Sequence, residues 1–343
     1  MKNVVTLRDI AEEAGVSHVT VSLALRNQRK ISAATTRRIQ AIAQRLGYVP
    51  DPALGRLNAY RRSTLSKDSG STLAWINFWP DPDRLLSFEI YAQYWLGAKE
   101  KAEKIGYRMD EFRLADCDMN AARLAQILRA RGIQGVLIPP SADGTNTHID
   151  LPWEQLAVVR IGYSVSSIPT HLVTNTQFQT AHEATLKAAT LGAKRIGYFF
   201  HAPGERKTRN HFLGGYRVAL DILGCLDPIP PLIPLSSHED QHRQIFLDWY
   251  FTHRPDCILT QYVGIVPWLL ESGISIPSDV KIIHLGLPVT CSLRLSGMKQ
   301  NSHAIGGQAV ELLARMLRNG EIGPPEPPIE LLVPSDWVAG ETT

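Results

Sequence analysis

Apolar positions in residues 1–50 recur at helical spacing. Leu7, Ile10, Ala11 and Ala14 fall at i, i+3, i+4 and i+7, Thr6 and Asp9 are spaced as a capping box, and Gly15 ends the run. Ser17 is placed to cap a second helix with Val21, Ala24 and Leu25 inward. Ser32 caps a third, with Ile39, Ile42, Ala43 and Leu46 inward and Gly47 at its end. Three short helices joined by tight turns predict a compact all-α module. Beyond residue 71 the pattern changes. Apolar runs of strand length at 72–78, 135–140, 157–163, 195–200, 256–260 and 280–286 alternate with helical periodicity at 88–105, 121–131, 178–191, 210–223 and 304–317. Repeated βα units predict parallel sheets with helices on both faces. The unit GIQGV, echoed as GAKRI, points to two similar halves and hence to two lobes with a cleft between them.

Between the two parts lies YVPDPALGRLNAYRR. Asp51 as cap and Pro52 at the first helical position predict a short helix over 51–62, weakened by about 1 kcal/mol by Gly55. So short a helix is marginal in water and orders only when something holds it. Residues 63–71, STLSKDSGS, read as a polar linker. The division expected is therefore 1–50, 51–62, 63–71 and 72–343. Lobe 1 is expected near 72–170 and 298–322, and lobe 2 near 171–297 and 323–343.

With 343 residues and 44% hydrophobic content, the chain can bury full-sized cores. Its net charge of +3 divides unevenly. Residues 1–62 carry 11 Lys+Arg against 4 Asp+Glu, or +7, and the remainder carries 25 against 29, or −4. A polyanionic partner is thus expected for the first part alone. Cys117, Cys225, Cys257 and Cys291 form no CxxC pair, so they read as reduced thiols with no metal role. No apolar run has the length of a membrane span, and the N-terminal stretch carries acids where a signal peptide needs an apolar core, which makes the cytoplasm the expected location. GxSxG, HExxH and P-loop motifs are missing, so neither catalysis nor a cofactor is expected. The aromatic cluster Phe88, Tyr91, Tyr94 and Trp95 has helical spacing and is assigned to core or dimer packing.

The run TLRDIAEEAGVSHVTVSLALRN reads as helix, glycine turn, helix. In a helix-turn-helix the second helix enters the major groove, which accounts for Ser17, His18, Val19, Thr20 and Ser22 on a segment where a core would be apolar. With KISAATTRRIQAIAQRLGYVPDPALGRL following, the chain resembles the LacI family of bacterial transcription regulators, most specifically in AGVSxxTVS and LGYVP. The resemblance implies a small all-α helix-turn-helix head followed by an α/β two-lobed periplasmic-binding-protein-like domain with parallel sheets. It implies a homodimer on a pseudo-palindromic double-stranded DNA operator, a small-molecule effector and no membrane partner. Base readout falls to His18, Val19 and Leu23, and phosphate contacts or helix caps to Ser17, Thr20, Ser22, Arg26, Ser32 and Thr35. Leu57 matches the residue that wedges into the minor groove, where unstacking costs a few kcal/mol. Leu23 stands where most relatives carry Arg, so an apolar contact such as one to a thymine methyl replaces a guanine contact.

The same resemblance places Gly162, Phe212 and Gly286 where sugar-binding relatives carry Asp, Arg and Asp, which argues against an ordinary sugar as effector and leaves a more apolar ligand, or none, as the expectation. Tyr163, Asn175, Arg209, Phe212, Gln261 and Gly286, near strand ends, are the residues expected to line the pocket. The rival readings are a solute-binding protein built from the body alone, an enzyme with an appended DNA-binding head, and an activator or ligand-independent repressor.

Overall fold

The computed structural model describes residues 5–25, 31–48, 71–116, 119–142, 150–165, 167, 169–235, 239–288 and 294–343. The head holds α1 (Leu7–Ala14), α2 (His18–Leu25) and α3 (Ala33–Leu46). Asp9 Oδ2 accepts from the Thr6 backbone N–H at 2.7 Å and from its hydroxyl at 2.9 Å, which holds the Asp9 carboxyl below its ordinary range. Gly15 and Gly47 end α1 and α3 in the left-handed region, with φ of 62° and 68°. Ile10, Ala14, Val21, Ala24, Ile39 and Ala43 make the core of the head, each contributed at helical spacing.

The body begins with β1 (Thr72–Asn77), α4 (Pro82–Ser87), α5 (Glu89–Lys104), β2 (Arg108–Arg113), α6 (Ala121–Ala130), β3 (Gly135–Ile138), β4 (Ala157–Ile161) and β5 (His171–Asn175). It continues through α7 (Gln177–Thr190), β6 (Ile196–Phe199), α8 (Ala202–Lys207), α9 (His211–Ile222), α10 (Glu239–His253), β7 (Cys257–Thr260), α11 (Ile265–Glu271) and β8 (Lys281–His284). The last elements are β9 (Ser296–Gln300), α12 (Ser302–Asn319), β10 (Glu330–Val333) and β11 (Ser335–Val338). Two sheets result, ordered β10-β5-β4-β3-β1-β2 and β11-β9-β8-β7-β6. All pairings are parallel except β11 with β9. Among the described residues, no helix is long and apolar enough to cross a membrane.

The lobe boundaries differ from those expected. β5 pairs with β4 and β10 in the first sheet, so 171–175 and 330–333 belong to lobe 1, whereas β9 pairs with β8 and places 296–300 in lobe 2. The chain therefore crosses at Thr176, Asn301 and Pro334. Strand pairing decides these boundaries, and a linear pattern does not carry it. The expected pattern also missed β2, an edge strand whose sequence RMDEFR is mostly charged, and α10, where Phe246, Trp249 and Tyr250 turn one face inward.

Helix α12 returns from the second sheet to pack on α5 and on β3, β4 and β5 of lobe 1. Two glycines let α5 and α12 approach backbone to backbone. A Cβ on Gly97 would lie 1.9 Å from the His303 carbonyl oxygen, and one on Gly306 would lie 2.0 Å from that of Tyr94. Gly97→Ala or Gly306→Ala is therefore expected to cost about 1–3 kcal/mol of body stability, read as a lower urea midpoint by tryptophan fluorescence. An unchanged midpoint would mean that the helices separate at no cost.

Candidate functional site

Helix α2 buries Val21 and Ala24, so the positions between them face outward. His18 and Val19 are exposed, Val19 at 53%, and Thr20, Ser22 and Leu23 are half-buried. His18 with Ser22 and Val19 with Leu23 are i, i+4 pairs, which puts all four on one continuous face. Ser17 starts the helix, its hydroxyl accepting from the Thr20 N–H at 3.1 Å and lying 2.9 Å from the Thr20 hydroxyl. Ser32 repeats the arrangement with Thr35, at 3.2 Å and 2.8 Å. Arg26 and Leu57 lie outside the described residues.

Two arginines that the pattern left unassigned brace this face. Arg38 donates to the Ala14 carbonyl at 2.9 Å, and Arg45 forms an ion pair with Glu13. Both tie α3 to the end of α1, one turn before α2 begins, and so fix the angle at which α2 leaves the turn. Their only signal in the sequence is a basic residue on the solvent side of α3.

In the body, the C-terminal ends of the parallel strands and the loops after them form the facing walls of the two lobes. The expected pocket residues fall into two groups. Tyr163, after β4, donates its hydroxyl to Glu330 Oε2 at 3.0 Å, and burial with that carboxylate pushes the phenol up to about 12. Arg209 of lobe 2 lies 5.2 Å over its ring, and the His211 ring meets it edge-on at 4.8 Å. Arg209 and Asn210 both have left-handed backbone, with φ of 54° and 58°, a conformation that costs about 1–2 kcal/mol for a residue with a side chain. Beside this contact, Lys207 donates to the Ala142 carbonyl at 2.5 Å and stands 5.7 Å over the Trp79 ring.

The second group lies at the ends of β7, β8 and β9. A Cβ on Gly286 would come 2.7 Å from Gln300 Nε2 and 3.1 Å from Gln261 Nε2, so two carboxamides converge on the space this glycine leaves. Gln300 donates to the Leu285 carbonyl at 2.9 Å. The Gly286 N–H donates to His284 Nδ1 at 3.2 Å, and burial holds the His284 imidazole down at about 4. A cavity of about 400 Å³ opens beside this group, between Glu89 and Gln93 of α5 and Leu287, Gln300 and Asn301 of lobe 2. Asn175 is buried at the end of β5.

Phe212 does not face the cleft. It is 1% exposed and packs 5.5 Å from Phe200 inside the lobe 2 core, on the inward face of α9. The aromatic cluster is packing as well. Tyr94 is buried, Trp95 meets Trp75 at 5.4 Å, and Phe88 and Tyr91 flank Trp79 at 5.7 and 5.9 Å. Gln300, Lys207 and Trp79 were missed. Each acts through a contact distant in sequence, and none stands in a recognisable motif. Among the described residues, no group of His, Cys, Asp and Glu is placed to hold a metal.

Comparison with known proteins gives two regions of match. Residues 6–51 match the bacterial regulatory proteins of the lacI family, and residues 187–343 match the periplasmic binding protein-like domain. The chain is 24% identical over 332 residues to the HTH-type transcriptional repressor CytR of Escherichia coli K12, spanning 93% of this chain and 91% of that one. It is 23% identical over 333 residues to catabolite control protein A of Priestia megaterium, spanning 91% and 92%. In fold it is similar to the transcriptional regulator CelR in its cellobiose complex, with a TM-score of 0.62, 20% identity and coverage of 99% and 100%. It is likewise similar to the Lac repressor dimer bound to operator and the anti-inducer ONPF, with a TM-score of 0.58, 20% identity and coverage of 98% of each chain.

The low value for His284 has a measurable consequence. A histidine depressed from 6.5 to about 4 contributes stability that is present above pH 6.5 and lost as pH falls through that window, because only the unfolded chain takes up the proton. Unfolding free energy should therefore drop by about 2 kcal/mol from this residue between pH 7 and pH 5. His284→Asn should flatten the profile by that amount in urea titrations at the two pH values, and an unaltered slope would show that His284 is not the group responsible.

Proposed function

Because the chain belongs to the lacI family of bacterial regulatory proteins, we propose that the outward face of α2 reads the base edges of a pseudo-palindromic operator. The protein is a DNA-binding transcription regulator, and we read it as a homodimeric repressor whose two-lobed body answers to a small molecule. What carries this reading is the outward face of a capped helix, with His18 and Val19 exposed and Ser22 and Leu23 half-buried beside them, in a segment, 1–62, of +7 charge joined to a remainder of −4.

In this reading His18, Val19 and Leu23 contact base edges. Ser17, Thr20, Ser22, Ser32 and Thr35, with Arg26, contact phosphates or hold the caps that present the face. Leu57 from each subunit wedges the centre of the operator. Effector binding between the lobes changes DNA affinity by its differential affinity for two lobe arrangements, transmitted through the hinge pair. The relatives are regulators, and we assign this chain no catalytic step and no cofactor. Its place of action is the cytoplasm, with the DNA.

Selection from randomised duplex DNA by the full-length protein tests this directly. An enriched motif with two-fold symmetry and a deformable central step is the expected result, and enrichment of a single unrepeated half-site would remove the dimer. Leu23→Arg should move the selected motif toward guanine at one position per half-site, with roughly tenfold discrimination. A motif unchanged by that substitution would take Leu23 out of base readout.

A further inference from the structure

Among the described residues one carboxylate is buried, that of Glu205 in α8, which is 2% exposed. Burial pushes this carboxyl above its ordinary range, against the pull of the Tyr198 hydroxyl and the Leu213 backbone N–H. An apolar side chain of similar size would fill the same space without that cost, so what the carboxylate supplies is geometry.

Glu205 is anchored at both ends. Its side chain accepts from the hydroxyl of Tyr198 on β6, a fully buried ring stacked 5.0 Å from Tyr216 and 5.7 Å from Phe200. Its backbone carbonyl accepts from the Asn210 N–H at 2.9 Å and the Thr208 N–H at 3.2 Å, which closes the turn between α8 and α9. Within that turn the Arg209 N–H donates to the Arg206 carbonyl at 3.2 Å, and the His211 N–H donates to the Thr208 carbonyl at 3.0 Å. Two successive residues with side chains, Arg209 and Asn210, are left-handed here, a conformation that persists only where the surroundings hold it. The side chains that leave the turn toward lobe 1 are those of Arg209 and His211, 5.2 Å and 4.8 Å from the Tyr163 ring.

We propose that Glu205 is a positioning residue: by tying the turn at 205–211 to Tyr198 in the lobe 2 core, it aims Arg209 and His211 at Tyr163 across the cleft. In the regulator reading, a carboxylate outside the cleft thereby sets the lobe arrangement that an effector has to alter.

Limited trypsin digestion of the full-length protein reads the turn, since the bonds after Arg206, Lys207 and Arg209 become cleavable when it loosens. Glu205→Leu should speed cleavage at these bonds by roughly tenfold and leave the bond after Arg243 in α10 unchanged. Glu205→Gln, which keeps an oxygen for the Tyr198 hydroxyl, should stay within about twofold of the parent. Tyr163→Leu should also stay close to the parent, because order runs from Glu205 to Arg209 and not back from lobe 1. Tyr198→Phe combined with Glu205→Leu replaces both partners by apolar groups, a change that costs little stability, and should still be cut rapidly. This double variant decides the matter if Glu205→Leu alone loosens the whole lobe. Unchanged cleavage in Glu205→Leu, equal acceleration in Glu205→Gln or Tyr163→Leu, or restored protection in the double variant would each overturn the proposal. The digestion needs no operator, so failure of the regulator reading would leave its result standing.

Discussion

The body depends on the stitching of its three chain crossings. Asn301, at the second crossing, donates to the Pro334 carbonyl at 3.0 Å and to Asp336 Oδ2 at 2.9 Å, both at the third. Thr180, in the first turn of α7, lies 2.8 Å from the Ser335 hydroxyl, which brings the first crossing into the same knot. Three strands of backbone held side by side resist separation of the lobes yet leave rotation about their common line, since a few dihedral angles absorb it. Everything proposed for the cleft uses that freedom. The lobes share one chain and two interleaved sheets, so any change in their angle is transmitted through these few residues.

Parallel strands put their carboxyl ends at one edge, and each lobe presents that edge to the other. The polar side chains of the cleft are therefore loop residues positioned by rigid strands: Tyr163 after β4, Gln261 after β7, Gly286 after β8 and Gln300 at the end of β9. Glycine at 286 matters by what it leaves out. With no side chain there, Gln261 and Gln300 turn their amides toward one spot on the lobe 2 wall. The left-handed backbone at Arg209 and Asn210 belongs to the same design, because it turns the chain between α8 and α9 and aims Arg209 at Tyr163.

Much of the head was legible from sequence because its determinants are local. Thr6 with Asp9, Gly15, Ser17, Ser32 and Gly47 each act within four residues of themselves, and the inward positions follow from helical spacing. The α/β class of the body was legible for the same reason. Lobe membership was not, since 171–175 and 296–300 acquire theirs from strand partners far away in the chain. The cleft was legible only in part. Tyr163, Gln261 and Gly286 stand just after strand ends, which periodicity locates, and Arg209 lies farther on, in the turn between α8 and α9. Phe212 was misplaced because the phase of α9 turns it into the core, and Lys207 was missed because its partner Ala142 is 65 residues away. Arg26 and Leu57, assigned by resemblance, lie outside the described residues.

The division of charge bears on how the two parts work together. A body of net −4 is repelled by the polyanion that residues 1–62, of net +7, attract, so contact with DNA falls to the head and hinge. In the dimeric reading proposed above, control by the body then acts through the positions of the two heads, because the body has no attractive contact of its own to withdraw. Those positions follow the lobe angle, and the lobe angle is already set by contacts that the chain makes with itself: Lys207 with Ala142, and Arg209 and His211 with Tyr163. A ligand entering the cleft meets these contacts first. Under the proposed function it would change DNA affinity to the extent that it does better than they do in one arrangement and worse in the other.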